Sequence, residues 1–262
     1  MIKQAVIFLF TLHFATGFAM SAPLSSADHR DRYEARSFTN DGGKKLNYRL
    51  LLPKGYDRNK TYPLVLFLHG AGERGSDNKI QLVHGMNEFA SDEIMEKYPA
   101  FVVAPQCPEG KQWVDVPWSA DSHVMPKEPA EPLQQSLALI AALEKEFSVD
   151  KSRVYVTGLS MGGYGAWDAI QRQPKLFAAA VPVCGGGDAT LADKIKDVPV
   201  WAFHGAEDGA VKPKRSRDMI AALKKAGGNP KYTEYEKVGH NSWEKAYGDP
   251  KMYEWMFSQK KK

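Results

Sequence analysis

A serine stands at the centre of a Gly-x-Ser-x-Gly motif at residues 158–162, directly after the apolar run 154–156. A β-branched and aromatic run that enters this motif is typical of a strand that turns sharply into a helix and exposes the serine hydroxyl. Small residues recur after the motif, so the helix can pack closely against a sheet. We therefore predict that Ser160 is a nucleophile and not a serine with only a structural role in a turn.

A serine hydroxyl is a poor nucleophile unless a base lies beside it, and that base needs an acid to orient it. Asp208 follows the end of an apolar strand pattern, and His240 follows the last strand pattern of the chain. The order serine, acid, histidine, each after a strand, is the order of the α/β-hydrolases. We predict that Asp208 is the acid and His240 the base.

Other acids and histidines compete for these roles. Glu207 is next to Asp208, and Asp188 follows the preceding strand pattern, so both are alternative acids. His69 and His204 end strand patterns ahead of glycines, where we expect them to make supporting hydrogen bonds. The remaining histidines, apart from His240, all precede the serine motif.

Acyl transfer also requires backbone N–H groups that stabilise the oxyanion. One donor is predicted at Met161, the residue after the nucleophile. The other is expected in the glycine-rich loop 69–75, which follows an apolar strand pattern. Ala71 is the favoured donor in this loop, and Gly72 is the alternative.

Three segments carry a resemblance to a known family. Residues 66–78, 158–167 and 238–243 resemble secreted esterases of the polyhydroxybutyrate-depolymerase and feruloyl-esterase kind. Relatives of this type are often described as peptidases of the prolyl-oligopeptidase group. The similarity extends from about residue 38 to the C-terminus, and it implies a serine carboxylester hydrolase with an α/β-hydrolase fold. It does not fix the substrate, because this fold hosts many activities.

The elements that must position these residues alternate between strand and helix. An alternating pattern at 45–52 predicts an early edge strand with one solvated face. Helical spacing occurs at 133–143 and 217–226. Continuous apolar runs, typical of strands buried on both faces, occur at 63–68, 101–104, 154–156, 177–183 and 198–203, and a more polar strand is predicted at 231–235.

This alternation predicts a single α/β-hydrolase domain over residues 37–262, with a mostly parallel sheet and helices on both faces. Only a short connection separates the strands that end at Val183 and start at Val198, so no large lid is expected. The stretch 106–132 is irregular and rich in proline, and we expect it to shape the mouth of the site.

Composition excludes several classes of function. The chain has 262 residues, 43% hydrophobic content and a formal net charge of +4, which suits one substantial core. Lysine and arginine interleave with acids and form no polybasic stripe, so nucleic acid is not an expected partner. Neither Cys-x-x-Cys nor His-Glu-x-x-His occurs, so we predict no metal site and no cofactor, and chelators should not affect turnover.

The N-terminal residues indicate export. Residues 1–22 have a basic start, an apolar stretch that is too broken for a confident membrane span, and small residues at the end, as in a signal peptide. We expect a secreted or periplasmic protein without stable membrane insertion, and a disordered segment at 23–36. Cys107 and Cys184 flank different strands and are expected to be buried free thiols, with a disulfide as the alternative.

A site without a lid suits esters on an extracellular polymer, such as feruloyl or acetyl groups on polysaccharides. Trp118 and Trp243 are candidate substrate-binding residues, together with Gly72, and Trp113 either lines the site or packs in the core. The alternatives to an esterase are a serine peptidase of the prolyl-oligopeptidase type and a non-catalytic binding module.

Overall fold

The computed structural model describes residues 28–261. The strands are β1 (Glu34–Thr39), β2 (Lys45–Leu51), β3 (Tyr62–Leu68), β4 (Phe101–Pro105), β5 (Val149–Leu159), β6 (Ala179–Val183), β7 (Trp201–Gly205) and β8 (Lys231–Tyr235). The helices are α1 (Met86–Phe89), α2 (Asp92–Lys97), α3 (Glu131–Glu146), α4 (Met161–Arg172), α5 (Lys214–Lys225), α6 (Trp243–Tyr247) and α7 (Pro250–Ser258).

The strands form one sheet in the order β1-β2-β4-β3-β5-β6-β7-β8. Strand β2 is antiparallel to both β1 and β4, and all pairings from β4 to β8 are parallel. Between β6 and β7 lies a single 3₁₀ segment, Ala189–Ile195, and no large insertion. The predicted α/β-hydrolase fold with a mostly parallel sheet is confirmed.

The sheet is covered on both faces, which explains the continuous apolar runs. In β3, Leu64, Leu66 and Leu68 point into one core, whereas Val65 and Phe67 point into the other. Side chains from α3, α4 and α5 complete the first core, and those from α1, α2, α6 and α7 complete the second. Because successive residues of a strand face opposite sides, a strand between two helical layers needs apolar residues at every position.

Residues 45–52 were predicted to form an edge strand, but the strand that they form is not at the edge of the sheet. Strand β2 lies between β1 and β4, and β1 forms that edge of the sheet. The expectation was wrong because β1 is mostly exposed and polar, and so lacks the alternating pattern that reveals a half-buried strand.

The expectation of disorder over 23–36 is wrong for residues 28–36. A 3₁₀ turn at Arg30–Arg32 leads into β1, and Tyr33 is only 1% exposed. The Tyr33 hydroxyl donates a hydrogen bond to the carbonyl oxygen of Met86 at 2.9 Å, which ties this segment to α1. The predicted signal peptide and residues 23–27 lie outside the described residues. Between residues 28 and 261, no helix is long and apolar enough to cross a membrane.

The candidate site residues all lie on segments that follow strands. The loop after β3 contains Ala71, and Ser160 follows β5. Asp208 follows β7, and His240 follows β8. Because these strands are parallel, their carboxyl ends meet at one edge of the sheet, where binding sites of open α/β sheets are found.

Candidate active site

Ser160 occupies the sharp turn between β5 and α4. It adopts φ 52° and ψ −116°, a positive φ that a residue with a side chain seldom takes. Its N–H donates to the carbonyl oxygen of Val183 at 3.0 Å, so the turn is fixed to strand β6. Backbone strain of this kind persists where the surrounding structure imposes it, and here it projects the serine hydroxyl from the end of the sheet.

The turn requires glycine at position 162. A Cβ at Gly162 would lie 1.8 Å from the carbonyl oxygen of Leu68 in strand β3. This neighbour is backbone, so no change of side-chain rotamer could relieve the overlap. We expect Gly162→Ala to lower the free energy of unfolding by at least about 3 kcal/mol, measured by urea unfolding followed by circular dichroism.

The matched control is Gly42→Ala, because a Cβ there would meet only the Asn40 side chain at 3.4 Å. We expect this variant to unfold within about 0.5 kcal/mol of the wild type. Equal unfolding free energies for the Gly42 and Gly162 variants would contradict the proposed steric requirement of the turn.

Ser160, His240 and Asp208 form a continuous hydrogen-bonded chain. The Ser160 Oγ and His240 Nε2 atoms are 2.9 Å apart, and His240 Nδ1 is 2.8 Å from Asp208 Oδ2. Because a carboxylate only accepts, Nδ1 carries the proton and donates it to Asp208. Nε2 is then the free acceptor that faces the serine hydroxyl, which is the tautomer that a general base requires.

Asp208 lies in a buried pocket of hydrogen-bond donors. Its Oδ1 accepts from the N–H groups of Ala210 and Val211, both at 2.9 Å, and its Oδ2 also lies 3.2 Å from His204 Nε2. Burial alone would raise the pKa of Asp208, but the hydrogen bonds from His204, His240 and Val211 outweigh it and hold the pKa well below its usual range. Asp208 is therefore a carboxylate whenever His240 can act as a base.

Neither alternative acid reaches His240. Asp188 is hydrogen-bonded elsewhere: its Oδ1 accepts from the N–H and the hydroxyl of Thr190, and its Oδ2 accepts from the N–H of Met125. Glu207 is exposed, although it is the immediate neighbour of Asp208. The structure thus brings Asp208, and neither of these two, into contact with the histidine.

The candidate oxyanion donors flank the serine. Met161 is the first residue of α4, and the first N–H groups of a helix have no partner within it. Ala71 opens a short 3₁₀ turn, Ala71–Glu73, and Gly70 before it has an extended backbone. Gly72 is exposed in the same turn. Their roles as donors remain predictions.

His69 and His204 make the supporting hydrogen bonds that the sequence suggested. The Cys107 N–H donates to His69 Nε2 at 2.9 Å, so the proton of His69 is on Nδ1, which donates to the Gly70 carbonyl oxygen at 2.6 Å. Burial lowers the pKa of His69 to about 4, which keeps it neutral. The histidine therefore stabilises the loop that carries Ala71.

The three tryptophans considered for substrate binding differ in position. Trp113 is completely buried and donates its indole N–H to the His69 carbonyl oxygen at 2.9 Å, so it belongs to the core and does not line the site. Trp118 is half-buried at the edge of the same core, and its carbonyl accepts from the Tyr164 hydroxyl. Trp243 packs edge-on against the His240 ring, with 5.3 Å between the ring centroids.

Sequence reasoning missed three side chains close to these residues. His84 lies beside Trp243, Glu73 lies beside His84, and Cys184 lies beneath the hydrogen-bonded chain. The Cys184 thiol, Asp208 and His240 have ligand atoms within 4.8 Å of one another. Burial raises the pKa of Cys184 to about 12, however, and a metal ligand must be a thiolate, so this donor set does not favour a metal ion. Cys107 and Cys184 are both buried free thiols.

The sheet order, the serine turn and the positions of the acid and histidine define a protein of the α/β-hydrolase class. The model of the Esterase family matches residues 39–186, more than half of the chain, and the chain belongs to this family. It is therefore a carboxylic ester hydrolase.

Individual relatives agree with this assignment. A protein of Oryza sativa subsp. japonica named Probable carboxylesterase is 25% identical over 194 residues, which are 68% of this chain and 81% of that protein. Probable feruloyl esterase C of Aspergillus terreus is 27% identical over 162 residues, which are 62% of this chain and 54% of that protein. The crystal structure of a thermostable esterase is 40% identical with a TM-score of 0.83, and the match covers 89% of this chain and 64% of that one.

Proposed function

We propose that this esterase is a serine hydrolase that acts through an acyl-enzyme formed on Ser160. The observation that carries the proposal is the unbroken hydrogen-bonded chain from Ser160 through His240 to Asp208. Ser160 attacks the carbonyl carbon of the ester while its proton passes to His240 Nε2. The N–H groups of Met161 and Ala71 stabilise the oxyanion that forms.

The second half of the reaction releases both products. Collapse of the tetrahedral intermediate breaks the bond between the acyl carbon and the alcohol oxygen, and His240 gives its proton to the departing alcohol. A water molecule then attacks the acyl-enzyme and loses a proton to His240. The carboxylic acid leaves, and the proton returns to Ser160. Asp208 orients His240 throughout and stabilises its cationic form.

The substrates that we propose are acyl esters of a polysaccharide or a related compound, of the feruloyl or acetyl type, met outside the cytoplasm. Three points support this choice. The short connection between β6 and β7 leaves the site without a large lid. An aromatic side chain, Trp243, borders the histidine, and one relative is named as a feruloyl esterase.

A panel of three substrates tests the proposal against its alternatives. Initial rates are measured with p-nitrophenyl acetate, methyl ferulate and an Xaa-Pro anilide. We expect hydrolysis of the two esters and little or no release from the anilide. Faster turnover of the anilide would support a peptidase of the prolyl-oligopeptidase type, and no turnover of any substrate would support a non-catalytic binding module.

Trp243 provides a test of how the substrate is held. Because its ring packs against His240, we expect Trp243→Ala to remove an apolar wall of the site. The kcat/KM for phenyl acetate and methyl ferulate should fall about tenfold more than the kcat/KM for ethyl acetate. Equal losses for all three esters would mean that Trp243 only supports the histidine loop.

A further inference from the structure

The glycine-rich loop after β3 carries the oxyanion donor Ala71, and packing holds this loop on one side only. A Cβ built on Gly70 would lie 2.9 Å from the side chain of Leu159, so the backbone is tightly packed there. A Cβ built on Gly72 would meet no atom within 4 Å. Because glycine also leaves the backbone many accessible conformations, the peptide group between Ala71 and Gly72 needs hydrogen bonds to fix its direction.

Two side chains donate to the carbonyl oxygens on either side of Ala71. His69 Nδ1 donates to the Gly70 carbonyl oxygen at 2.6 Å, and Arg74 Nε donates to the Ala71 carbonyl oxygen at 2.8 Å. Since the peptide group is planar and trans, a fixed carbonyl also fixes the N–H on the other side of the same group. With both neighbouring peptide groups held, the backbone angles of Ala71 and the direction of its N–H are set.

The Arg74 guanidinium contacts main-chain carbonyl oxygens and no carboxylate. Its Nη1 donates to the Lys111 carbonyl oxygen at 3.4 Å, and within residues 28–261 it forms no ion pair. The next residue, Gly75, donates its N–H to the Cys107 carbonyl oxygen at 3.0 Å. Arg74 therefore joins the loop to the irregular stretch 106–132. A hydrogen bond from a charged donor is roughly twice as strong as one between neutral groups, which suits it to hold a backbone that packing leaves free.

The loop that Arg74 holds lies directly beside the serine turn. A Cβ built on Gly70 would lie 3.7 Å from the Ser160 Cβ, and a Cβ built on Gly162 would lie 2.8 Å from the His69 carbonyl oxygen. The peptide groups around Ala71 thus adjoin the nucleophile and the start of α4. A displacement of about 1 Å in a positioned group can lower a rate by about 100-fold, so the direction of the Ala71 N–H matters.

We propose that Arg74 is a positioning residue, which holds the Ala71 carbonyl oxygen so that the Ala71 N–H keeps the direction that binding of the oxyanion requires. Arg74 acts through the backbone and does not touch the substrate. The inference rests on the proposed function, because it assumes an oxyanion formed by attack of Ser160 on an ester. Loss of the guanidinium should therefore weaken the stabilisation of the transition state and leave the nucleophile intact.

Two esters that differ in one atom test this inference. The kcat/KM is measured for p-nitrophenyl acetate and for O-(4-nitrophenyl) thionoacetate, in which sulfur replaces the carbonyl oxygen. Sulfur is a weak hydrogen-bond acceptor, so the oxyanion donors assist the thiono ester much less. We expect Arg74→Met to lower kcat/KM about 30-fold for the oxygen ester and at most about threefold for the thiono ester. The ratio of the two values should thus fall about tenfold.

Two further variants serve as controls. Arg74→Gln is the conservative change, because its amide nitrogen is as many bonds from Cα as the Nε of arginine and can donate to the same carbonyl. Its ratio should stay within about threefold of the wild type. Arg32→Met is the matched control, since Arg32 also donates to a main-chain carbonyl oxygen, that of Ala90 at 2.8 Å, and its loss should leave the ratio unchanged. Circular dichroism checks the fold of each variant, and if Arg74→Met does not fold, Arg74→Ala carries the same expectation.

The inference is overturned if Arg74→Met hydrolyses both esters at the wild-type rates. It is also overturned if both rates fall in the same proportion, which is the result that a purely structural role of Arg74 would give. Undiminished hydrolysis of p-nitrophenyl acetate by Ser160→Ala would instead overturn the proposed function itself, and this inference with it.

Discussion

Ser160→Ala should lower kcat for p-nitrophenyl acetate by about 10⁶-fold, to a level close to the background rate. Among the described residues, Ser160 Oγ is the only oxygen within hydrogen-bond distance of His240 Nε2. Without it, no acyl-enzyme can form, and water must attack the bound ester directly. The rate is measured under steady-state conditions with enzyme purified from a host without background esterase.

The fold of this variant should be unchanged. Alanine keeps the Cβ at the positive φ of position 160, so the strain of the turn and the hydrogen bond from its N–H to Val183 both remain. We expect the thermal unfolding temperature to lie within about 2 °C of the wild type.

Labelling by a fluorophosphonate, read by intact mass, provides an independent measurement. We expect one label per chain in the wild type and none in Ser160→Ala. Ser242→Ala is the matched control, because Ser242 is a buried serine on the histidine loop that makes no hydrogen bond to His240. This control should be labelled fully. Stoichiometric labelling of the Ser160 variant would place the nucleophile elsewhere.

The candidate site could be predicted from the sequence because each part has a local signature. Ser160 stands in a motif whose spacing dictates a strand-to-helix turn, and Asp208 and His240 follow strand patterns in a fixed order. Parallel strands then bring their carboxyl ends together without further information. The same reasoning led to the fold, since continuous apolar runs separated by helical spacing admit few arrangements other than a covered parallel sheet.

What the sequence did not reveal depends on contacts between distant segments. Strand β1 is polar and exposed, so the pattern of its own residues does not identify it as a strand. Its pairing with β2 determines its position in the sheet. Trp113 lies in an irregular stretch, and only the tertiary structure shows that it packs beneath His69. His204 was expected to play a supporting part, but its approach to Asp208 Oδ2 follows from the turn after β7.

The same limit applies to Glu73. In the sequence it is one charged residue in a glycine-rich loop, where an acid is ordinarily solvated. Its burial and its position beside Gly70 appear only when the loop after β3 is folded against His84. A buried acid of this kind is therefore harder to predict than the hydrogen-bonded chain of Ser160, His240 and Asp208, because no fixed spacing identifies it.

Asp208→Asn should lower kcat/KM for p-nitrophenyl acetate by about 10⁴-fold without unfolding the protein. Asparagine has the same shape, but it cannot stabilise the cationic form of His240, and its amide can reverse the tautomer by donating to Nδ1. In the wild type, donors from His204, His240 and Val211 meet the carboxylate and lower its pKa. Because the pKa is lower in the folded state, this carboxylate stabilises the fold above the unfolded-state value near pH 4, and the stabilisation is lost as the pH falls below it.

The unfolding temperatures of the wild type and of Asp208→Asn should therefore differ most near neutral pH and draw together as the pH falls from about 4 towards the much lower pKa of the folded state, which thermal scans across pH can check. Asp188→Asn and Glu207→Gln are the matched controls, and both should keep kcat/KM within about threefold of the wild type, since neither side chain reaches His240. Asp188→Asn can cost some stability, because it weakens the hydrogen bonds to Thr190 and to the N–H of Met125. A loss of activity in Asp188→Asn as large as that in Asp208→Asn would place the functional acid after β6 instead of β7, and the observed hydrogen bond between His240 and Asp208 would then be incidental to catalysis.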